Sequence, residues 1–133
     1  MPEFRRKGIF MQIPRNEYPK PQFERANWLN LNGEWQFETD NGKSGIERKL
    51  FEDSVTLKDR ILVPFCPESK LSGIENKEFM YGVWYKRSFA LTKDQIKEKT
   101  ILHFGAVDYK CTAYINGKEA GVHKGGYVSF SFD

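Results

Sequence analysis

"AYINGKEAG", residues 113–121, is the stretch that decides the fold. Tyr114 and Ile115 end one alternating run, Asn116-Gly117 turns the chain, and Lys118-Glu119-Ala120 starts back. Asn-Gly between two such runs signals a two-residue β-hairpin, because both turn positions need positive φ and these residues tolerate it. The spacing predicts strands over 111–116 and 118–123. A further alternating run, "YVSFSFD" (127–133), follows, with Val128, Phe130 and Phe132 on one face.

Upstream, the same period of two recurs. Trp35 and Phe37 alternate with Gln36 and Glu38, and Asp40-Asn41-Gly42 ends that run. Residues 46–60 are ambiguous. "RILVPF" (60–65) is a short apolar strand stopped by Pro64. "CPESKLSGIENKEFMYG" (66–82) is a loop whose length suggests function. "VWYKRSFAL" (83–91) places Val83, Tyr85, Arg87, Phe89 and Leu91 on one face. Arg87 interrupts that apolar face, so it must find a carboxylate or carbonyls there. Thr92-Lys93-Asp94-Gln95 has capping-box spacing and predicts one short helical turn. "TILHFGAV" (100–107) is another strand. Seven or so strands, no long helix, and Gly or Pro at the corners predict an all-β chain: an antiparallel β-sandwich, Greek key or jelly roll.

Composition narrows the function. At 133 residues the chain holds one domain, and 15% aromatic residues mark it as folded. No apolar run is long enough to span a membrane. Arg5, Arg6 and Lys7 stand where a signal peptide would be apolar, so a cytoplasmic location is expected. The net charge of +3 is concentrated at the start: residues 1–25 hold six Lys/Arg and three Glu, leaving fifteen of each sign elsewhere. The body is electrically balanced, which argues against nucleic acid as a partner. Residues 1–17 read as an extended basic lead-in, its first ten foreign to the domain, and residues 14–27 carry three prolines. Cys66 and Cys111 are expected to be free, mostly buried thiols. No Cys or His spacing suits zinc, and no cofactor is expected.

The search for chemistry yields candidates rather than an active site. No G-x-S-x-G elbow accompanies His103 and His123. His103 lies mid-strand and reads as a surface residue. His123 sits beside Lys124-Gly125-Gly126-Tyr127 at a loop tip, where ligand contact is more plausible. The Gly125-Gly126 pair is a tight bend, since it lacks a phosphate-loop pattern and a following helix. Glycosidases use two acids at fixed separation. Asp108, at a strand end, and Glu68, in the long loop, are the acids that stand out, and neither has an evident partner. Trp84, Tyr85, Tyr109 and Tyr127 could stack on sugar rings, although Tyr85 reads as core.

Four stretches together resemble a known family: "YPKPQFERANWLNLNGEWQF" (18–37), "ILVPFCPESKLSGI" (61–74), "GVWYKRSFAL" (82–91) and "LHFGAVDYKCTAYINGKEAGVHKGGYVSFSFD" (102–133). With its V-W-Y-x-R strand followed by V-D-Y, N-G and H-x-G-G-Y, the chain resembles the N-terminal domain of glycoside hydrolase family 2, the β-galactosidase and β-glucuronidase family. The resemblance covers residues 18–133. It implies a jelly roll of the galactose-binding-like type, with its final strand or strands beyond Asp133. It also implies an immunoglobulin-like domain and a catalytic barrel as partners. Both catalytic glutamates of the family's retaining mechanism lie in that barrel, so none is expected here. The H-x-G-G-Y form at His123–Tyr127 is similar to glucuronidase-type members. It lacks the acidic metal-binding segment of the large β-galactosidases, so no metal is expected.

The reading is therefore a non-catalytic domain that buttresses a barrel, with weak carbohydrate contact through Glu68, Trp84, Asp108, Tyr109, His123 and Tyr127. A homo-oligomer formed through an exposed strand edge is a further expectation. The alternatives are a stand-alone carbohydrate-binding module or lectin, and a sandwich with no sugar role.

Overall fold

The computed structural model describes residues 13–17, 28–96, 100–126 and 128–133. Tyr127 and most of the proline-rich lead-in lie outside these residues.

Seven strands and one short 3-10 turn make up the described chain: β1 (Gly33–Thr39), β2 (Asp59–Val63), the 3-10 turn (Lys70–Ser72), β3 (Val83–Lys86), β4 (Leu102–Phe104), β5 (Lys110–Ile115), β6 (Lys118–Lys124) and β7 (Phe130–Phe132). All pairings are antiparallel. One sheet has the order β2-β1-β3, and two ribbons pair β4 with β7 and β5 with β6. The all-β antiparallel expectation holds.

The hairpin forms where its turn predicts. Asn116 and Gly117 have φ of 50° and 76°, and Ile115 faces Lys118 across the turn. A bulge at Ala113/Tyr114 shifts the register, and the bent strand carries Tyr114 out towards the three-stranded sheet. There its ring lies 5.9 Å from that of Trp84 and 5.1 Å from that of Phe51, stacked on both.

Directly paired residues share a face of a sheet. Trp35, Phe37, Ile61 and Tyr85 therefore occupy one face of the β2-β1-β3 sheet, and Gln36, Glu38, Arg60, Trp84 and Lys86 the other. Phe37 and Ile61 are buried on the first face, with the Phe37 ring edge-on to Tyr85 at 5.2 Å. The second face is polar, yet it is covered by the chain between β1 and β2. That segment buries Leu50 and Leu57. Leu57 donates its N–H to Gln36 Oε1 at 2.9 Å, and the Lys86 ammonium donates to the carbonyls of Glu52 and Val55 at 2.7 and 2.6 Å. Irregular backbone is thus satisfied by the side chains of the face it covers.

Two expectations are corrected. The strand read over 83–91 ends at Lys86, and Val83 and Tyr85 are more exposed than Trp84 and Lys86. The buried side of β3 is the one whose polar groups the covering segment needs. Cys66 is exposed rather than buried, because the turn that follows Pro64 carries it to the surface. The loop over 66–82 contains the 3-10 turn, capped by Ser69 and closed by Gly73 at φ 83°. Arg87 meets the expectation set for it: its guanidinium donates to the carbonyls of Leu31 and Asn32, the latter at 2.8 Å. Thr92 also behaves as its spacing predicts, its N–H donating to Gln95 Oε1 at 2.8 Å while the N–H groups of Gln95 and Ile96 bond back to its carbonyl.

Candidate functional site

The open end of the β5–β6 hairpin gathers three of the candidates. Asp108 and Tyr109 lead into β5, and His123 on β6 stands opposite Cys111. The Gly125 N–H donates to the Tyr109 carbonyl at 2.8 Å, which closes this end of the ribbon. Gly125 has φ 127°, a conformation that side chains disfavour. Gly126 lies so close to the Asp108 carboxylate that an added Cβ would sit 2.7 Å from Oδ1. Gly125 is therefore favoured by its backbone angle, and Gly126 gives the Asp108 side chain room to lie against the chain.

His123 lies flat on Phe130 of β7, with ring centroids 4.0 Å apart and planes at 11°. Phe130 stacks in turn on Phe104 of β4 at 4.9 Å. This aromatic column ties the two ribbons together, and Gly121 of β6 lets the Phe132 ring approach. The Nδ1 atom of His123 is buried without a hydrogen-bond partner. Tyr109, by contrast, is 65% exposed, and Asp108 is exposed beside it. An exposed phenol and carboxylate on a closed ribbon end can hydrogen-bond the hydroxyl groups of a sugar.

Trp84 stands elsewhere, in the layer between β3 and β5. Its indole N–H donates to Asp40 Oδ2 at 3.0 Å, its ring stacks on Tyr114, and Gly45 lies against its edge so closely that any Cβ would overlap the ring. Glu68 is exposed on the connection between β2 and β3. Partial burial, followed by the charges of Glu68 and Cys66, pushes the Tyr85 phenol up to about 12. The six candidates thus divide among the hairpin end (Asp108, Tyr109, His123), the interior (Trp84) and the long loop (Glu68), with Tyr127 outside the described residues. A surface cavity lined by Ile13, Pro14, Arg15, Asn16 and Glu17 takes in none of them.

The most ordered ionisable cluster was missed in the sequence. Glu38 and Asp40, both buried, follow one another on the same face of the chain. Arg48 bridges them, at 2.5 Å from Glu38 Oε1 and 3.7 Å from Asp40 Oδ1. Asp40 also accepts the N–H groups of Ser44 and Gly45, each at 2.8 Å. Burial alone would raise the Asp40 carboxyl, but the hydrogen bonds from Trp84, Ser44 and Gly45 outweigh it and leave the group below its ordinary value. The signal in the sequence was "DNGKSG", an acid followed by small residues whose backbone can fold onto it. Among the described residues, no group of three or more His, Cys, Asp or Glu is placed to hold a metal ion, and no helix is long and apolar enough to cross a membrane.

Comparison with known proteins accords with this architecture. Residues 28–133 match the family described as "Glycosyl hydrolases family 2, sugar binding domain". A putative beta-glucuronidase of Formosa agariphila is 36% identical over 121 residues, covering 87% of this chain and 14% of the relative. A beta-glucuronidase of Paenibacillus borealis is 24% identical over 116 residues, covering 87% of this chain and 19% of the relative. The solved structure of a Lactobacillus rhamnosus beta-glucuronidase superposes with a TM-score of 0.67 at 29% identity, over 77% of this chain and 17% of that one. The chain thus spans under a fifth of the length of these relatives, and it belongs to glycosyl hydrolases family 2, as a sugar binding domain.

Proposed function

We propose that this chain acts as the non-catalytic domain of a retaining β-glycosidase of the glucuronidase type, buttressing a barrel that carries the acid/base and the nucleophile. The observation that carries the proposal is the state of its paired acids. A retaining site needs two carboxyl groups about 5–5.5 Å apart across an open cleft, one with a raised pKa. Glu38 and Asp40 are the buried acids of the described chain, and both are engaged by Arg48, with Asp40 held low rather than high. That arrangement fixes a loop and engages both carboxylates with the Arg48 guanidinium, Asp40 with the loop backbone as well.

Contact with carbohydrate or with the barrel is assigned to the hairpin end, through Asp108 and Tyr109, with His123 packed behind them on Phe130, Tyr127 adjacent in sequence and Glu68 as a further candidate; Trp84, engaged by Asp40, Tyr114 and Gly45, is assigned to packing instead. The exposure of Tyr109 and Asp108 supports this. The large apolar side chains left exposed, among them Val83, Tyr85 and Phe89 on or after β3, support packing against further protein. That partner is either another domain or a second copy joined at a strand edge.

Titration by calorimetry or NMR with glucuronate, galactose and mannose tests the reading. Binding too weak to saturate, at most, agrees with a buttressing domain. Saturable binding abolished by Tyr109→Ala would establish instead a self-sufficient carbohydrate-binding module.

A further inference from the structure

The chain contains three Asn-Gly pairs: Asn32-Gly33, Asn41-Gly42 and Asn116-Gly117. At such a pair the glycine nitrogen can attack the asparagine side-chain carbonyl, because no Cβ on the following residue obstructs it. The structure places the three pairs in different mechanical settings.

Asn32 is tied down. Its side-chain amide donates to the Pro14 and Arg15 carbonyls at 3.1 and 3.4 Å, and Gly33 is paired with Val63 at the start of β1, with the Arg87 guanidinium packed on it. Asn116 and Gly117 are the two residues of a tight hairpin turn, flanked at once by the Ile115–Lys118 pair. A change of backbone angle at either residue works against the strand pairing that flanks it on both sides. Asn41 and Gly42 lie beyond the end of β1, and both are exposed. Nothing lies within 4 Å of the place where a Gly42 side chain would begin, as is also so at Gly117, but Gly42 belongs to no strand pairing that holds it. The turn is closed by the Lys43 N–H donating to the Asp40 carbonyl at 3.1 Å, and the Ser44 and Gly45 N–H groups beyond it bond to the Asp40 carboxylate, so the anchoring falls on residues 40 and 43–45 and leaves the Asn41 and Gly42 N–H groups outside it. In addition, Asn41 Oδ1 accepts the Tyr81 N–H at 3.1 Å. That donor polarises the side-chain carbonyl and remains on its oxygen as negative charge develops there.

We propose that Asn41 is a site of spontaneous succinimide formation and deamidation. The Gly42 nitrogen loses its proton to solvent hydroxide and forms a bond to Asn41 Cγ. The Cγ–Nδ2 bond then breaks and ammonia leaves, taking a proton from water. Water opens the resulting ring at either carbonyl, giving aspartate or isoaspartate at position 41. The isoaspartate form adds a methylene to the main chain and displaces the acceptor from the Tyr81 N–H. That bond, with the Asp40 N–H donating to the Gly82 carbonyl at 2.8 Å, anchors the long loop before β3. Deamidation therefore loosens the loop that carries Glu68 and the exposed Phe79–Tyr81 ring pair.

The test ages the full chain at mildly alkaline pH, in buffer and in urea, and follows each Asn-Gly peptide by mass spectrometry with isoaspartate-specific methylation. In buffer, conversion at Asn41 runs severalfold ahead of Asn116 and Asn32; in urea the three converge. Asn116 or Asn32 leading in buffer, or the same order of rates in buffer and urea, overturns the proposal. Gly42→Ala should slow conversion at position 41 alone, and the Tyr81 amide should exchange faster in the aged wild type but not in the aged variant. Equal rates in the two proteins would also overturn it.

Discussion

Asp40 is the residue at which three parts of the described chain meet. Its two carboxylate oxygens accept from Ser44, Gly45 and Trp84, so one side chain holds the end of β1, the covering segment and β3 together. Trp84→Phe keeps most of the ring but removes a donor from a buried carboxylate. It should lower stability by about 1–3 kcal/mol, read as a drop in denaturant midpoint at unchanged slope. The sign of the pH effect follows from linkage. The Asp40 carboxyl lies below its ordinary value in the folded state. Its contribution is therefore fully present above the unfolded value of 3.8 and is lost as pH falls through the folded one. Asp40→Asn should destabilise the protein at neutral pH and flatten the acid limb of its stability curve. An unchanged acid limb would show that other carboxylates govern it. Asp40 was not singled out in the sequence because a carboxylate beside a turn is usually just part of that turn. Its importance comes from Trp84, forty-four residues away. Arg87 was legible because a guanidinium on an apolar strand face has few ways to be satisfied.

Elements whose signals are local were legible, and those set by distant cover were not. The Asn116-Gly117 hairpin needs only its turn chemistry and the alternation beside it. The faces of β3 could not be ranked from alternation, because both are partly covered and the polar one is satisfied by loop backbone. The end of β3 at Lys86 depends on where Arg87 finds its carbonyls, which period-two patterning does not encode. Glycine packing gives the test at this scale. Gly121 on β6 faces the Phe132 ring, and a Cβ there would sit 2.5 Å from it. Gly121→Ala should force β7 away from β6 and cost about 1–3 kcal/mol. Loss of amide protection in β4 and β7, ahead of β1 and β2, would report it. Uniform loss across all strands would mean that the ribbons and the three-stranded sheet are one cooperative unit.

At the scale of the whole molecule, the fold class was readable from alternating runs with Gly or Pro at the corners, and the family from several different short motifs standing in a characteristic order along the chain. The candidate site residues do not form one group: Asp108, Tyr109 and His123 converge because the hairpin register brings 109–110 opposite 124–125, whereas Trp84 is held half-buried elsewhere by Asp40 and Gly45. Fifteen large apolar side chains are exposed among the described residues, more than scattered surface hydrophobics would explain for so small a domain. Concentration-dependent association by light scattering is expected, and a monomer at every concentration would argue against edge or face pairing. The central claim is that this β scaffold supports glycoside hydrolysis without performing it. The most direct test incubates the folded chain with nitrophenyl β-glucuronide and nitrophenyl β-galactoside and follows nitrophenolate release. The account predicts the rate of the blank; turnover above it, abolished by replacing Asp108 or another carboxylate in a variant that still folds, would contradict it.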